Sequence, residues 1–208
     1  MLGSQNRCGL FYVSLTSIEE QGFGMQSNGF YQGLRAGAAA LAALAVSACA
    51  TPPSLDGSTA ARAFVPEKFF LGRTIAEGEF VNTLDGSRRG LRATIDGSWN
   101  GRDLKLVENF VYSDGERDRK TWILTKTGPT TYTGVREDVI GPASGRLDGN
   151  TFRLTYIATV KTKSSSVDVK FDDVLGYEAD GSVLNRATVS KLGVKVGEVT
   201  LRIRRAGR

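Results

Sequence analysis

The chain has 208 residues, with 27 Lys and Arg against 22 Asp and Glu, two cysteines and no histidine. The lack of histidine excludes a Ser-His-Asp triad, a Cys-His dyad and any histidine-ligated metal site. The net charge of +5 suits an anionic surface, and the apolar content is enough for one packed domain.

Residues 1–24 fit no targeting pattern, because Glu19 and Glu20 stand before the apolar run. Met25 opens a conventional leader, with Arg35 ahead of GAAALAALAVSA, so translation is expected to start there. That apolar run is too short for a bilayer span of about 20 residues, but it matches the core of an export signal. It ends in Val46-Ser47-Ala48-Cys49: a branched aliphatic, two small residues and a cysteine, the order of a bacterial lipobox. Cleavage before Cys49 would remove residues 1–48 and leave the Cys49 thiol to accept a diacylglycerol. The competing reading, a core helix with a buried cysteine, is opposed by Thr51-Pro52-Pro53-Ser54, which would end a helix. Ala50 rather than Asp follows Cys49, which directs such a protein to the periplasmic face of the outer membrane. Residues 49–63, rich in Ala, Ser, Thr and Pro, read as a flexible lipidated tether, and 64–208 as the folded domain.

Turn signals then recur at Asp85-Gly86, Asp96-Gly97, Asn100-Gly101, Asp114-Gly115, Gly128-Pro129, Asp148-Gly149 and Asp180-Gly181. Between them apolar and polar residues alternate, as in Phe152, Leu154, Tyr156, Ala158 and Val160 against Arg153, Thr155 and Thr159. This predicts strands near 74–83, 88–96, 103–112, 117–126, 131–138, 143–147, 151–162, 166–177, 183–191 and 195–204. No segment after Cys49 has a helical period. The expected fold is all-β, an antiparallel up-and-down barrel of eight to ten strands, with a sandwich as second choice. The basic run from Arg202 to Arg208 reads as the solvated end of the last strand in preference to a membrane-binding foot.

Two carboxylates break their strand patterns. Glu108 shares a face with Leu104, Leu106, Phe110 and Tyr112, and Asp173 shares one with Val169, Phe171 and Leu175. A carboxylate on an apolar face costs several kcal/mol unless it is paired. They could grip the polar end of a ligand or work as acid and base. The preferred reading of the residues alone is that they pair with Arg119, Arg186 or Lys191 in a structural ion pair, or point outward through a bulge. Trp122, Tyr156, Asn185, Arg186 and Lys191 complete the candidate ligand site, and Trp99 is expected to plug one barrel end. No motif of a catalytic type is present and no cofactor is implied.

The stretches FFLGRTIAEGEF, IDGSWNGRDLKLVENFVYSDGERDRKTW and NRATVSKLGVKVGEVTL resemble a family of Gram-negative lipoproteins known as domain of unknown function 3833, over roughly Lys68 to Arg205. The resemblance implies a lipid-anchored, lipocalin-like β domain and supplies no activity. Relatives carry an aromatic after Phe-Asp-Asp where this chain has Val174, which argues against a pocket role at that position. The combined expectation is a monomeric, non-enzymatic envelope lipoprotein. Its partners would be the membrane and an apolar or amphipathic small molecule or lipid, and not nucleic acid. The alternatives are a structural or interaction module with a filled barrel and, behind it, a carboxylate-dependent enzyme.

Overall fold

The computed structural model describes residues 50–55, 62–161 and 165–207, so Cys49, the export signal and most of residues 56–63 lie outside the described residues. A short helix, α1 (Pro66–Phe69), precedes ten strands: β1 (Gly72–Asn82), β2 (Arg88–Trp99), β3 (Asp103–Tyr112), β4 (Arg117–Lys126), β5 (Thr131–Val135), β6 (Ala143–Asp148), β7 (Thr151–Lys161), β8 (Ser166–Tyr177), β9 (Val183–Lys191) and β10 (Val194–Arg205). Each strand pairs antiparallel with its neighbour in sequence, and β1 closes the barrel on β10 from Thr74↔Arg205 to Asn82↔Gly197. Closure leaves no free sheet edge, and it gives every strand one face toward the interior. The expected barrel is therefore present, with ten strands.

Three expectations about the elements themselves change. Asp96-Gly97 is not a turn: β2 runs through it to Trp99, and the chain reverses at Asn100-Gly101. Glycine is needed at 97 for space, because a Cβ there would stand 1.8 Å from the Phe70 carbonyl oxygen. The strand expected over 131–138 stops at Val135, and Arg136–Asp138 leave the sheet. Finally, α1 is a helix where none was expected. Its four residues are too few to show a period, and Pro66 at its start is suited to a first helical turn.

Helix α1 closes one end of the barrel. Phe64, Phe69, Phe70 and Tyr177 are buried there with ring centroids 5.0–6.2 Å apart, mostly edge to face. Leu104, Leu124, Tyr132, Phe152 and Val183 fill the layer beside them; Trp99, expected to plug a barrel end, packs against this core partly buried, and the plug itself is α1. The hydroxyl of Tyr132 and the ammonium of Lys126 both donate to Glu67 of α1, at 2.9 and 2.7 Å, pinning the plug to β4 and β5.

The start of the described chain lies on the outer wall. Residues 50–55, expected to belong to an unattached tether, are held in four places. The Ala50 amide donates to the Gly193 carbonyl at 2.9 Å, the Thr188 hydroxyl to the Thr51 carbonyl at 3.2 Å, and the Arg153 guanidinium to the Pro53 carbonyl at 3.0 Å. Leu55 covers Val174 and Leu184 in a small apolar cluster of its own. This explains why β9 is buried on both faces and why Val174, though it points outward, is fully buried. Arg202 and Arg204 meet Glu178 and Asp180, and Arg205 donates to the carbonyls of Lys68 and Leu71. The basic C-terminus is thus tied to the plugged end.

The other end of the barrel, its mouth, carries the β1–β2, β3–β4 and β9–β10 hairpins. Its β9–β10 hairpin turns on Leu192-Gly193, with φ of 50° and 81°. A leucine in the left-handed region costs roughly 1–2 kcal/mol, and this turn ordinarily takes Asn-Gly.

Candidate functional site

Above the apolar floor lies a polar layer. β3 directs Leu104, Leu106, Glu108, Phe110 and Tyr112 inward, and β8 directs Val169, Phe171, Asp173 and Leu175 inward. Glu108 lies opposite Ile95 on β2 and Lys120 on β4, while Asp173 lies opposite Leu154 and Ala187. The Asn185 amide donates to Asp173 Oδ1 at 2.9 Å.

The cation of this layer comes from outside the strands. Arg136, just beyond β5, places Nη1 3.9 Å from Glu108 Oε2, a charge contact too long for a hydrogen bond. Its Nε and Nη2 fork onto Asp138 at 2.7 and 3.3 Å. The guanidinium lies 4.7 Å from the centre of the Trp122 ring and 5.2 Å from that of Tyr156. Trp122 meets Tyr156 edge-on at 5.0 Å, and Tyr156 stacks on Phe171 at 5.0 Å. Lys120 stands 3.5 Å from Asp138 and 3.1 Å from Asp118.

Burial dominates the electrostatics. It pushes the Glu108 carboxyl up to about 7; Arg136 opposes the rise, and Asp173, Asp138 and Glu137 add to it. Burial also pushes Asp173 up to about 6, against the Asn185 hydrogen bond, Arg136 and the Tyr156 hydroxyl. The Tyr156 hydroxyl is raised well above its ordinary value, first by burial and then by Asp173. Burial works against the Arg136 charge, but Tyr156, Glu108 and Asp138 outweigh it and hold the guanidinium protonated. Glu108 Oε2 and Asp173 Oδ2 are buried with no hydrogen-bond partner. Such atoms are rare in folded proteins and mark an unmet demand for donors.

Exposure separates this layer from the floor. Glu108, Phe110, Tyr112, Tyr156, Phe171 and Asp173 point inward and are largely buried but keep some exposure, 13% at the Glu108 side chain, whereas the floor residues are fully covered. The mouth half of the lumen is therefore lined by aromatic rings and two carboxylates that keep a little exposure, whereas the plugged half is sealed. A groove of about 710 Å³ lies elsewhere, beside Ala50, Val169 and Lys191–Gly193. It lies away from Glu108 and the unpaired Asp173 oxygen. Among the described residues no group of three His, Cys, Asp or Glu could hold a metal.

Of the residues singled out in the sequence, Glu108, Trp122, Tyr156, Phe171, Asp173 and Asn185 come together. Phe110 and Tyr112 form the wall above them, stacked at 6.1 Å, with Arg89 3.8 Å over Tyr112. Two do not join. Arg186 is exposed on the outer wall, because the two-residue period that turns Asn185 inward turns its neighbour out. Lys191 ends β9 at the rim and is exposed. Arg119 is likewise exposed, so none of the three expected cations pairs with the carboxylates. Arg136, Asp138 and Lys120 were not anticipated, and the charged Arg136-Glu137-Asp138 run after β5 was the available signal.

A family model described as "Protein of unknown function (DUF3833)" matches residues 43–205. The chain belongs to the DUF3833 family. No curated protein matches this DUF3833 member. Among solved structures it is similar to the S-type phycobiliprotein lyase CPES from Guillardia theta, with a TM-score of 0.52 at 9% identity, over 68% of this chain and 91% of that one. A redesigned β-barrel, mFAP1, bound to DFHBI, aligns with a TM-score of 0.34 at 15% identity over 65% of this chain and 96% of that one. The first of these likenesses shows a shared barrel fold.

Proposed function

We propose that this DUF3833 member is an envelope lipoprotein, anchored through Cys49 on the periplasmic face of the outer membrane, whose barrel takes an amphipathic small molecule through its mouth. The observation that carries the ligand reading is the pair of buried carboxylate oxygens without a hydrogen-bond partner, Glu108 Oε2 and Asp173 Oδ2, beneath the partly exposed aromatic rings of the mouth half. A ligand head that offers donors, as an amine, amide or hydroxyl does, would satisfy both. Its apolar body would lie along Phe110, Tyr112 and Phe171. The lipobox at Val46–Cys49 supports the anchor.

The filled lower half of the barrel supports a purely structural module, but the unpaired oxygens are not in that half. An acid–base pair would want no neighbouring cation, and Arg136 lies between the carboxylates and Asp138 in charge contact with Glu108. The test is uptake of a dansylated fatty amine by the mature lipoprotein in detergent. A charge-assisted hydrogen bond lost on binding should weaken uptake about tenfold or more in Glu108→Gln combined with Asp173→Asn, with the fold retained. No uptake by the unaltered protein, or equal uptake by the double variant, would sink the reading.

A further inference from the structure

The mouth of the barrel carries an apolar rim that the ligand reading does not use. Nine large apolar side chains are exposed among the described residues, and only Leu71 belongs to the plugged end. Leu84, Val135, Ile140, Val160, Leu192 and Val194 lie on or beside the mouth hairpins. Leu192 is 96% exposed at the tip of a two-residue turn, in a backbone conformation that disfavours it. An exposed, strained leucine at a hairpin tip contributes nothing to the barrel's own packing, so its use lies outside the barrel.

The chain itself indicates what the rim faces. Ala50 is bonded to Gly193, the residue after Leu192, and Cys49 is the next residue back. Cys49 lies outside the described residues, but a diacylglycerol on it would be one residue along the chain from the Ala50 amide that is bonded to this hairpin. Lys161 and Lys191 on the same rim are exposed and in no ion pair among the described residues, which suits anionic headgroups over a shallowly inserted apolar tip. The β3–β4 turn is the polar sector of the rim, where Arg89 forks onto Asp114 and also meets Glu116.

We propose that the barrel stands mouth-down on the bilayer, with the β9–β10 hairpin inserting Leu192 and with Leu84 and Ile140 resting on the surface. The orientation rests on the anchoring of Cys49 stated above. It delivers the mouth half of the lumen to the lipid phase, so that an amphipathic ligand can pass between membrane and barrel without crossing water, and it leaves the basic plugged end in the periplasm.

The test uses the full processed lipoprotein in vesicles of phosphatidylethanolamine and phosphatidylglycerol. Its variants Leu192→Cys and Leu84→Cys carry an environment-sensitive dye, with Leu71→Cys at the plugged end as reference. Alkyne-palmitate labelling of Cys49 is read in parallel. The expected result is a blue shift and quenching by doxyl lipid at positions 192 and 84, and neither at 71. Adding Leu192→Asn, which suits the left-handed turn and spares the fold, should reduce the quenching at 84. Palmitate label with position 192 still open to an aqueous quencher would overturn the orientation and leave the anchor standing. Absence of label would overturn both. Protection of 192 without lipid quenching, in a particle of twice the mass, would overturn the proposal and assign the rim to a second copy of the chain.

Discussion

Replacing Glu108 with glutamine tests whether burial or ion pairing rules the polar layer. Glutamine has nearly the shape of a protonated glutamate and cannot ionise. The Glu108 carboxyl titrates at about 7 in the folded protein, against an ordinary 4.5, with burial as the largest cause. Between those values the folded chain holds a proton that the unfolded chain has released, so stability falls as pH rises through that window. At about 1.4 kcal/mol for each pH unit, the gap amounts to about 3 kcal/mol. That figure is an upper bound, since 13% of the side chain still meets solvent. Below the window, near pH 4, the variant and the unaltered protein should unfold at nearly the same denaturant concentration. Above it, near pH 8, Glu108→Gln should be the more stable by up to about 3 kcal/mol. Arg136 keeps its fork on Asp138 in the variant, so its charge is not left alone. Urea unfolding followed by tryptophan fluorescence at the two pH values reads the difference. A stability difference that does not change with pH, or a variant that is weaker at the higher pH, would refute the reasoning and show that the attraction of Arg136 outweighs burial.

Three further outcomes are expected. Arg136→Met removes the guanidinium facing Glu108 and Asp138 and should cost roughly 3–5 kcal/mol near neutral pH, with a smaller loss near pH 4 where the Glu108 carboxyl is protonated; equal losses in denaturant melts at both would count against the charge argument. Gly97→Ala forces a Cβ onto the Phe70 carbonyl and should destabilise by roughly 1–3 kcal/mol through displacement of α1, read as a lowered melting temperature and looser near-ultraviolet dichroism; an unchanged melt would show that the plug does not bear on β2. Cys49→Ala should abolish incorporation of a palmitate analogue and leave the precursor uncut on a gel, whereas persistent label would place the acylation elsewhere.

The barrel was legible because its strands obey a two-residue period between turns rich in glycine. Phe152 through Val160 and Val167 through Leu175 show the period plainly, and closure follows from a long run of consecutive hairpins. The same period revealed Glu108 and Asp173 as anomalies on apolar faces. Applied one residue further, it would have excluded Arg186, which follows the inward Asn185. Arg136 was not legible in this way, since it lies beyond β5 and its direction is set by the closed barrel and the Trp122 and Tyr156 rings rather than by a period. Asp96-Gly97 misled because a glycine admitting another backbone and a glycine making a turn look alike in sequence. The attachment of residues 50–55 was hidden because small residues and prolines read as a linker wherever they lie, while the apolar outer faces of Val174 and Leu184 that receive them are visible only in the fold.

Native mass spectrometry of the lipoprotein, released gently from its own membrane, addresses the ligand-binding barrel most directly. The account predicts a mass above that of the triacylated chain from Cys49 onward, lost on mild activation as a small amphiphile with donor groups on its head. That adduct should be absent from Glu108→Gln combined with Asp173→Asn. A bare mass from the unaltered protein under conditions that keep other lipid complexes intact would contradict the account and leave the barrel a structural module.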